Sequence, residues 1–239
     1  MKLGVVAALD FEARSLVAAR LKAGQRVALP NGGALVCSGV GAARAAAAAR
    51  SLAEDGARGL LSWGTAGGLA PELPAGSLVV PDTVLAADGG AFRADPALAG
   101  QLRERLPRDL PRVAGSLAEA PEPLASPEAK RRLAEASGAA AVDMESAALA
   151  AVAGEAGLLF IAVRVVLDDA ATAVPERLLR ALGPAAAGRP ILRRIFDVGA
   201  RPSLWPALLR LAWAYRRARA TLAAAAPAVR SLLTGPTAH

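Results

Sequence analysis

The residues of this chain best suited to chemistry are carboxylates. Val142-Asp143-Met144-Glu145-Ser146-Ala147-Ala148 places an acidic pair at the opening of an apolar helix, and Asp168 follows Glu145 by 23 residues. Asp168 closes the run Leu158-Leu159-Phe160-Ile161-Ala162-Val163-Arg164-Val165-Val166-Leu167, whose apolar, β-branched character predicts a strand buried on both faces. Ligands of open α/β sheets bind outside the carboxyl ends of the strands, so a carboxylate there is placed for acid–base work or for holding a polar substrate. The competing reading is an aspartate that closes a turn or caps a helix. Glu12, just after the first strand-like run, falls at the same sheet end if the strands are parallel. Its plain alternative is a first-turn glutamate favoured by the helix dipole.

Two glycine-rich turns accompany the carboxylates. Ser38-Gly39-Val40-Gly41-Ala42-Ala43-Arg44 follows a strand and opens a helix, while Leu60-Leu61-Ser62-Trp63 runs into Gly64-Thr65-Ala66-Gly67-Gly68. A dinucleotide site would need an acidic residue ending the second strand, which is absent, so a dehydrogenase is disfavoured. Two such turns in consecutive units, both offering backbone N–H groups, point instead to a sugar or phosphate pocket.

The elements that must position these groups alternate along the chain. Strand-like runs occupy Leu3–Ala8, Ala34–Ser38, Gly59–Trp63, Ser77–Val80, Arg112–Leu117 and Leu158–Leu167. Helix-like stretches occupy Asp10–Lys22, Ala42–Asp55, Pro96–Leu106, Ser126–Ser137, Met144–Ala156 and Pro175–Leu182. This order predicts an α/β fold, a three-layer αβα sandwich around a central mixed sheet, in a single domain spanning 1–239. The core covers about 1–183, and Pro-Gly punctuation separates it from a basic amphipathic C-terminal extension at about 189–239.

Composition narrows the function classes. One cysteine, Cys37, and one histidine, His239, exclude an internal disulfide, zinc sites and Ser-His or Cys-His catalysis. No metal or cofactor is expected. The net charge of +7 is confined to the tail, where residues 189–239 carry nine Arg and one Asp, leaving 19 basic and 20 acidic residues before them. That distribution argues against a nucleic-acid partner. No apolar run approaches the roughly 20 residues of a membrane span, and Asp10 and Glu12 interrupt the opening run as no signal peptide would. A cytoplasmic protein is expected. In the tail, Leu204, Leu208, Leu211, Tyr215 and Leu222 form one stripe flanked by Trp205 and Trp213, with Arg210, Arg216, Arg217 and Arg219 elsewhere or at its border. Such a helix either covers the sheet or touches the inner membrane face as a peripheral element.

Taken in order, the motifs resemble the nucleoside phosphorylase/nucleosidase superfamily, especially its methylthioadenosine/S-adenosylhomocysteine nucleosidase branch. Met1-Lys2-Leu3-Gly4-Val5-Val6-Ala7-Ala8 to Glu12, the Ser38–Gly41 turn, Gly64–Ala70, Gly76–Val80, Val142–Glu145 and Arg164–Asp168 fall in family order over roughly residues 1–170. The Ala-rich core with an Arg- and Trp-rich extension is most similar to the hopanoid-associated phosphorylase group.

The resemblance implies cleavage of an N-glycosidic bond with release of adenine. It casts Asp168 as the acid on N7 of the departing base and Glu12 as the base that activates water. Glu145 would hold the ribose hydroxyls, with Met144, Thr65, Ala66 and Gly67 lining sugar and base. Phosphate is a co-substrate if the enzyme is a phosphorylase, held by Gly41, Arg44 and Ser62. Hexameric purine phosphorylases place an Arg where this chain has Ser62, which turns the expectation toward water. Leu167 stands where a Ser is common, and the base loop expected at Pro121–Ala125 has no aromatic residue. The expected substrate is a 5′-substituted adenosine, lipid-linked in the case of adenosylhopane, and the expected assembly is a homodimer or larger. The alternatives are a plain methylthioadenosine/S-adenosylhomocysteine nucleosidase and a non-catalytic membrane-surface protein.

Overall fold

In the computed structural model the described residues are 1–113, 115–174 and 205–234. The helix expected at Pro175–Leu182, and Leu204 of the tail stripe, lie outside them.

One eleven-stranded mixed sheet carries the fold. Its centre is three parallel strands, β1 (Leu3–Ala7), β4 (Gly59–Gly68) and β11 (Leu159–Asp168), with β4 between the other two. On the β1 side follow β3 (Ala34–Cys37) and then the antiparallel edge strand β2 (Arg26–Ala28). The far half of β4 pairs antiparallel with β10 (Ala141–Asp143), which continues through β9 (Leu117–Glu119) and β6 (Thr83–Leu85) to β7 (Ala91–Arg93). β5 (Leu78–Val79) pairs with β11, and β8 (Arg112–Val113) pairs with β5. At ten residues each, β4 and β11 pass from one half of the sheet to the other.

The run ending in Asp168 is buried on both faces, as its composition requires. Ile161, Val163 and Val165 enter the core shared with α1 (Asp10–Leu16), α3 (Pro96–Arg105) and the C-terminal helix α6 (Trp205–Thr234). Phe160, Ala162 and Val166 enter the opposite core with α2 (Ala42–Glu54) and α5 (Ser146–Glu155). Small residues let α2 approach closely: a Cβ on Gly4 of β1 would lie 3.0 Å from the Leu52 side chain. α4 (Pro127–Ser137), capped by the Ser126 hydroxyl, flanks β9 and β10. The three-layer arrangement thus matches the sequence expectation.

Several boundaries differ. The first helix ends at Leu16, not Lys22, and the chain then turns so that the Leu21 N–H donates to Asp10 Oδ1 at 2.8 Å. The Arg112–Leu117 stretch divides into β8 and β9. Helix α5 starts at Ser146, so the acidic pair does not open it from within: Asp143 ends strand β10 and Glu145 is the N-cap.

Helix α6 divides in function along its length. Its second half docks on the core through Leu222, Ala225, Ala226, Val229 and Leu233, and the Thr221 hydroxyl donates to the Gly76 carbonyl at 2.8 Å. Its first half presents Trp205, Leu209 and Trp213 outward, at 55%, 71% and 57% exposure. Among the described residues no helix is long and apolar enough to cross a membrane. Leu222→Ala removes a fully buried side chain from this seam and lowers stability by about 2–4 kcal/mol in urea unfolding.

Candidate active site

The site is built around a buried guanidinium. Arg164 interrupts the apolar run of β11 and is 1% exposed, so its charge needs partners inside the fold. Its Nη2 lies 2.6 Å from Asp143 Oδ2 and donates to Ser62 Oγ at 2.7 Å and Ser146 Oγ at 3.0 Å, while Nε also reaches Ser146 Oγ. Asp143 in turn accepts from the Ser146 N–H and hydroxyl, which ties the end of β10 to the first turn of α5. Burial disfavours the charged guanidinium, but Asp143, Glu145 and Glu12 outweigh it and raise its pKa.

Glu145 sits above this pair. Its Oε1 accepts from the Gly41 N–H at 2.8 Å and its Oε2 lies 3.9 Å from Arg164 Nη2. Gly41 supplies that N–H from a φ of +107°, which a side chain would strain, so the first glycine-rich turn is read through its backbone. Burial, reinforced by the neighbouring Asp143, pushes the Glu145 carboxyl up to about 7.

Glu12 reaches the same region from α1. Its Oε2 accepts from the Ala8 and Leu9 N–H groups at 3.1 and 2.9 Å, and its Oε1 from the Thr65 N–H and hydroxyl at 2.8 and 2.7 Å. Burial raises its pKa against the opposing pull of Arg164 and Thr65. Gly64 makes room for both charged groups: a Cβ there would lie 2.3 Å from Arg164 Nη1 and 2.9 Å from the Glu12 carboxylate.

Asp168 follows a register shift in the β4–β11 ladder and lies opposite Gly67. Its Oδ2 accepts a hydrogen bond from Lys130 Nζ of α4. Burial raises the Asp168 pKa and Lys130 opposes the rise.

A cavity of about 1100 Å³ joins these groups. Glu12, Thr65, Ala66, Gly67, Met144, Glu145 and Asp168 all line it, so the sequence-selected acids and small residues converge on one space. Arg44 stands exposed on its wall beside Gly39. Gly41 and Ser62 are not on the wall: Gly41 serves Glu145, and Ser62 is buried beneath, held by Arg164 and Ser146. The Pro121–Ala125 loop contributes Glu122, Pro123 and Leu124. The aromatic surface missing from that loop comes from Phe11 and Tyr215, whose rings meet edge-on at 4.9 Å. With Leu208, Leu211 and Ala212, Tyr215 makes the first half of α6 an apolar wall of the cavity.

The model of the Phosphorylase superfamily matches residues 11–186, most of this frame. The chain belongs to the Phosphorylase superfamily. A futalosine hydrolase of Streptomyces coelicolor is 47% identical over 73 residues, 28% of this chain and 31% of that protein, so the match spans about a third of the relative's length. Among solved structures, the 5′-methylthioadenosine/S-adenosylhomocysteine nucleosidase of Neisseria meningitidis, in complex with methylthio-immucillin-A, superposes with a TM-score of 0.70 at 19% identity. That superposition covers 96% of this chain and 99% of the other. The futalosine hydrolase of Helicobacter pylori superposes with a TM-score of 0.69 at 16% identity over 97% of both chains. These two superpositions show a shared fold.

Two charged residues that hold the site's carboxylates, and the ring of Phe11, have no role in the sequence analysis. Arg164 was visible as a charge inside an apolar strand, which signals a buried partner, but the motif order assigned it no role. Lys130 gave no signal, being one basic residue among several in a polar helix.

Two outcomes follow from the geometry. Gly64→Ala forces the guanidinium and Glu12 apart and destabilises the fold by about 3 kcal/mol or more in urea titrations. Glu145 holds a proton in the fold between its ordinary value of 4.5 and about 7. Its stabilising contribution is therefore complete below about 4.5 and lost as pH rises toward 7. Glu145→Gln, unable to ionise, loses about 2–3 kcal/mol less stability than the parent between pH 5 and 8.

Proposed function

We propose that the cavity is the active site of a nucleosidase that cleaves the N-glycosidic bond of a 5′-substituted adenosine and releases adenine. The observation that carries this reading is the convergence of three carboxylates in different settings on one cavity: Glu12 and Glu145 around Arg164, and Asp168 on Lys130.

Each setting suits one part of the reaction. Bond cleavage leaves positive charge on the sugar and negative charge on the base, and only groups that favour that distribution accelerate it. Asp143 balances the Arg164 guanidinium, so each proton that Glu12 or Glu145 gives up adds negative potential where the cationic sugar forms. Glu145, near the mouth of the first glycine-rich turn, accepts the ribose hydroxyls, and Met144 packs on the ring. Asp168, whose pKa burial raises against the pull of Lys130, serves as the proton donor to N7 of the base. Glu12, also raised by burial, takes a proton from the attacking water. Ser62 and its bonds to Arg164 and Ser146 fill the place of the phosphate-binding Arg, which favours water over phosphate.

The size and lining of the cavity support an apolar 5′ substituent. Its volume of about 1100 Å³ lies just above the roughly 300–1000 Å³ range of small-molecule sites, and the α6 wall is Leu208, Leu211, Ala212 and Tyr215. The outer side of the same turns exposes Trp205, Leu209 and Trp213 near Arg210 and Arg217, a composition suited to a peripheral contact with an anionic membrane face. Adenosylhopane, an apolar lipid joined to adenosine, fits both observations. A methylthioadenosine/S-adenosylhomocysteine nucleosidase is the second reading, supported by the likeness of fold.

Adenine release from adenosylhopane, methylthioadenosine and S-adenosylhomocysteine, each with and without phosphate, tests the proposal. We expect adenine and a free ribose product without phosphate, with adenosylhopane the preferred substrate. Absence of adenine from all three removes the reading. Glu12→Gln and Asp168→Asn each lower kcat by about 10²–10⁴-fold.

A further inference from the structure

Lys130 has no part in the sequence reading, yet its placement is specific. It is the one buried residue of α4 and is 1% exposed, although a lysine at a helical position between Ala129 and Arg131 would ordinarily reach solvent. Its three ammonium donors meet three acceptors: Asp168 Oδ2, the Asp169 carbonyl at 2.6 Å and the Thr172 carbonyl at 3.2 Å. It lines the cavity beside Asp168. Among the described residues nothing else donates to the Asp168 carboxyl, so Oδ1 is left for a ligand. The charged groups that face Asp168 are Lys130 from α4 and Asp169 from its own loop, while β4 presents Gly67.

We propose that Lys130 is a positioning residue for base release, its ammonium being the counter-charge for the carboxylate that forms when Asp168 gives its proton to the leaving purine. The inference rests on the nucleosidase reading above. In the step, the C1′–N9 bond breaks and its electron pair goes to the purine, while the Asp168 proton moves to N7. The new Asp168 carboxylate stays paired with the Lys130 ammonium, which keeps its own protons. An acid in an apolar pocket with no such partner would hold its proton too tightly to pass it on. The two carbonyl bonds of Lys130 also fix the 169–172 turn, which keeps the ammonium on Oδ2.

The test compares two leaving groups. Adenine needs a proton as it departs, and p-nitrophenolate does not, so a substrate pair with the same 5′-substituted ribose separates proton delivery from general damage to the site. In Lys130→Gln, which keeps hydrogen-bond donors but loses the charge, the ratio of kcat for the adenine substrate to kcat for the p-nitrophenyl substrate falls at least about tenfold. The alkaline limb of the adenine pH profile moves up, because Asp168 has lost the charge that lowered its pKa. Lys130→Arg keeps that ratio within about threefold of the parent. An equal fall on both substrates in Lys130→Gln, or an unmoved alkaline limb, overturns the proposal and leaves the nucleosidase reading intact. A parent protein that releases no adenine overturns that reading and the proposal with it. If Lys130→Gln does not fold, the Lys130→Arg ratio decides: a fall of tenfold or more with the charge retained contradicts the counter-charge role.

Discussion

The floor of the site, where β4, β10, β11 and α5 meet, depends on one buried ion pair. Arg164 and Asp143 sit 2.6 Å apart with almost no exposure, between the central strand pair and the start of α5. Burying one charge without its partner costs several kcal/mol, so the pair compels the strand, the short β10 and the first turn of α5 to meet at a fixed point. Ser62 and Ser146 complete the guanidinium's bonds. Gly64 is then obligatory, because its missing Cβ is the space that Arg164 and Glu12 share.

That pair also sets the electrostatics. One guanidinium faces Asp143, Glu145 and Glu12, and burial raises the last two. The fold thus stores a demand for positive charge at the floor of the cavity. Under the proposed function, a sugar that becomes cationic in the transition state meets that demand and the neutral substrate does not. Asp168 stands apart from the cluster on its own cation, Lys130, so the group proposed to give a proton and the groups proposed to hold the cation are separately tuned.

The sequence displayed the parts of this arrangement that leave long signatures. β1, β3, β4 and β11 are apolar runs, and the carboxylates at their ends could be located from them. The three-residue strands β2, β6 and β7 have too few positions for an alternating pattern. β10 was hidden because Ala141-Val142-Asp143 leads directly into an apolar helix, and the two periods merge. The convergence of Glu12, Glu145 and Asp168 depends on the mixed sheet order, in which β10 runs against β4 yet delivers Glu145 beside Gly41. The tail stripe was legible as an apolar face, but not that Leu208, Leu211 and Tyr215 would face a cavity while Leu222 faces the core. Lys130 was beyond reach because only the tertiary fold distinguishes it from the solvated Arg131 and Arg132.

In the proposed function, the carboxylates gathered around Arg164 favour a cationic sugar. This preference is tested most directly by the affinities of two 5′-substituted adenine nucleoside analogues that differ only in the sugar ring, one with a protonated nitrogen and one with the ring oxygen. The cationic analogue is expected to bind at least about 100-fold more tightly at neutral pH. Equal affinity for the two would contradict it.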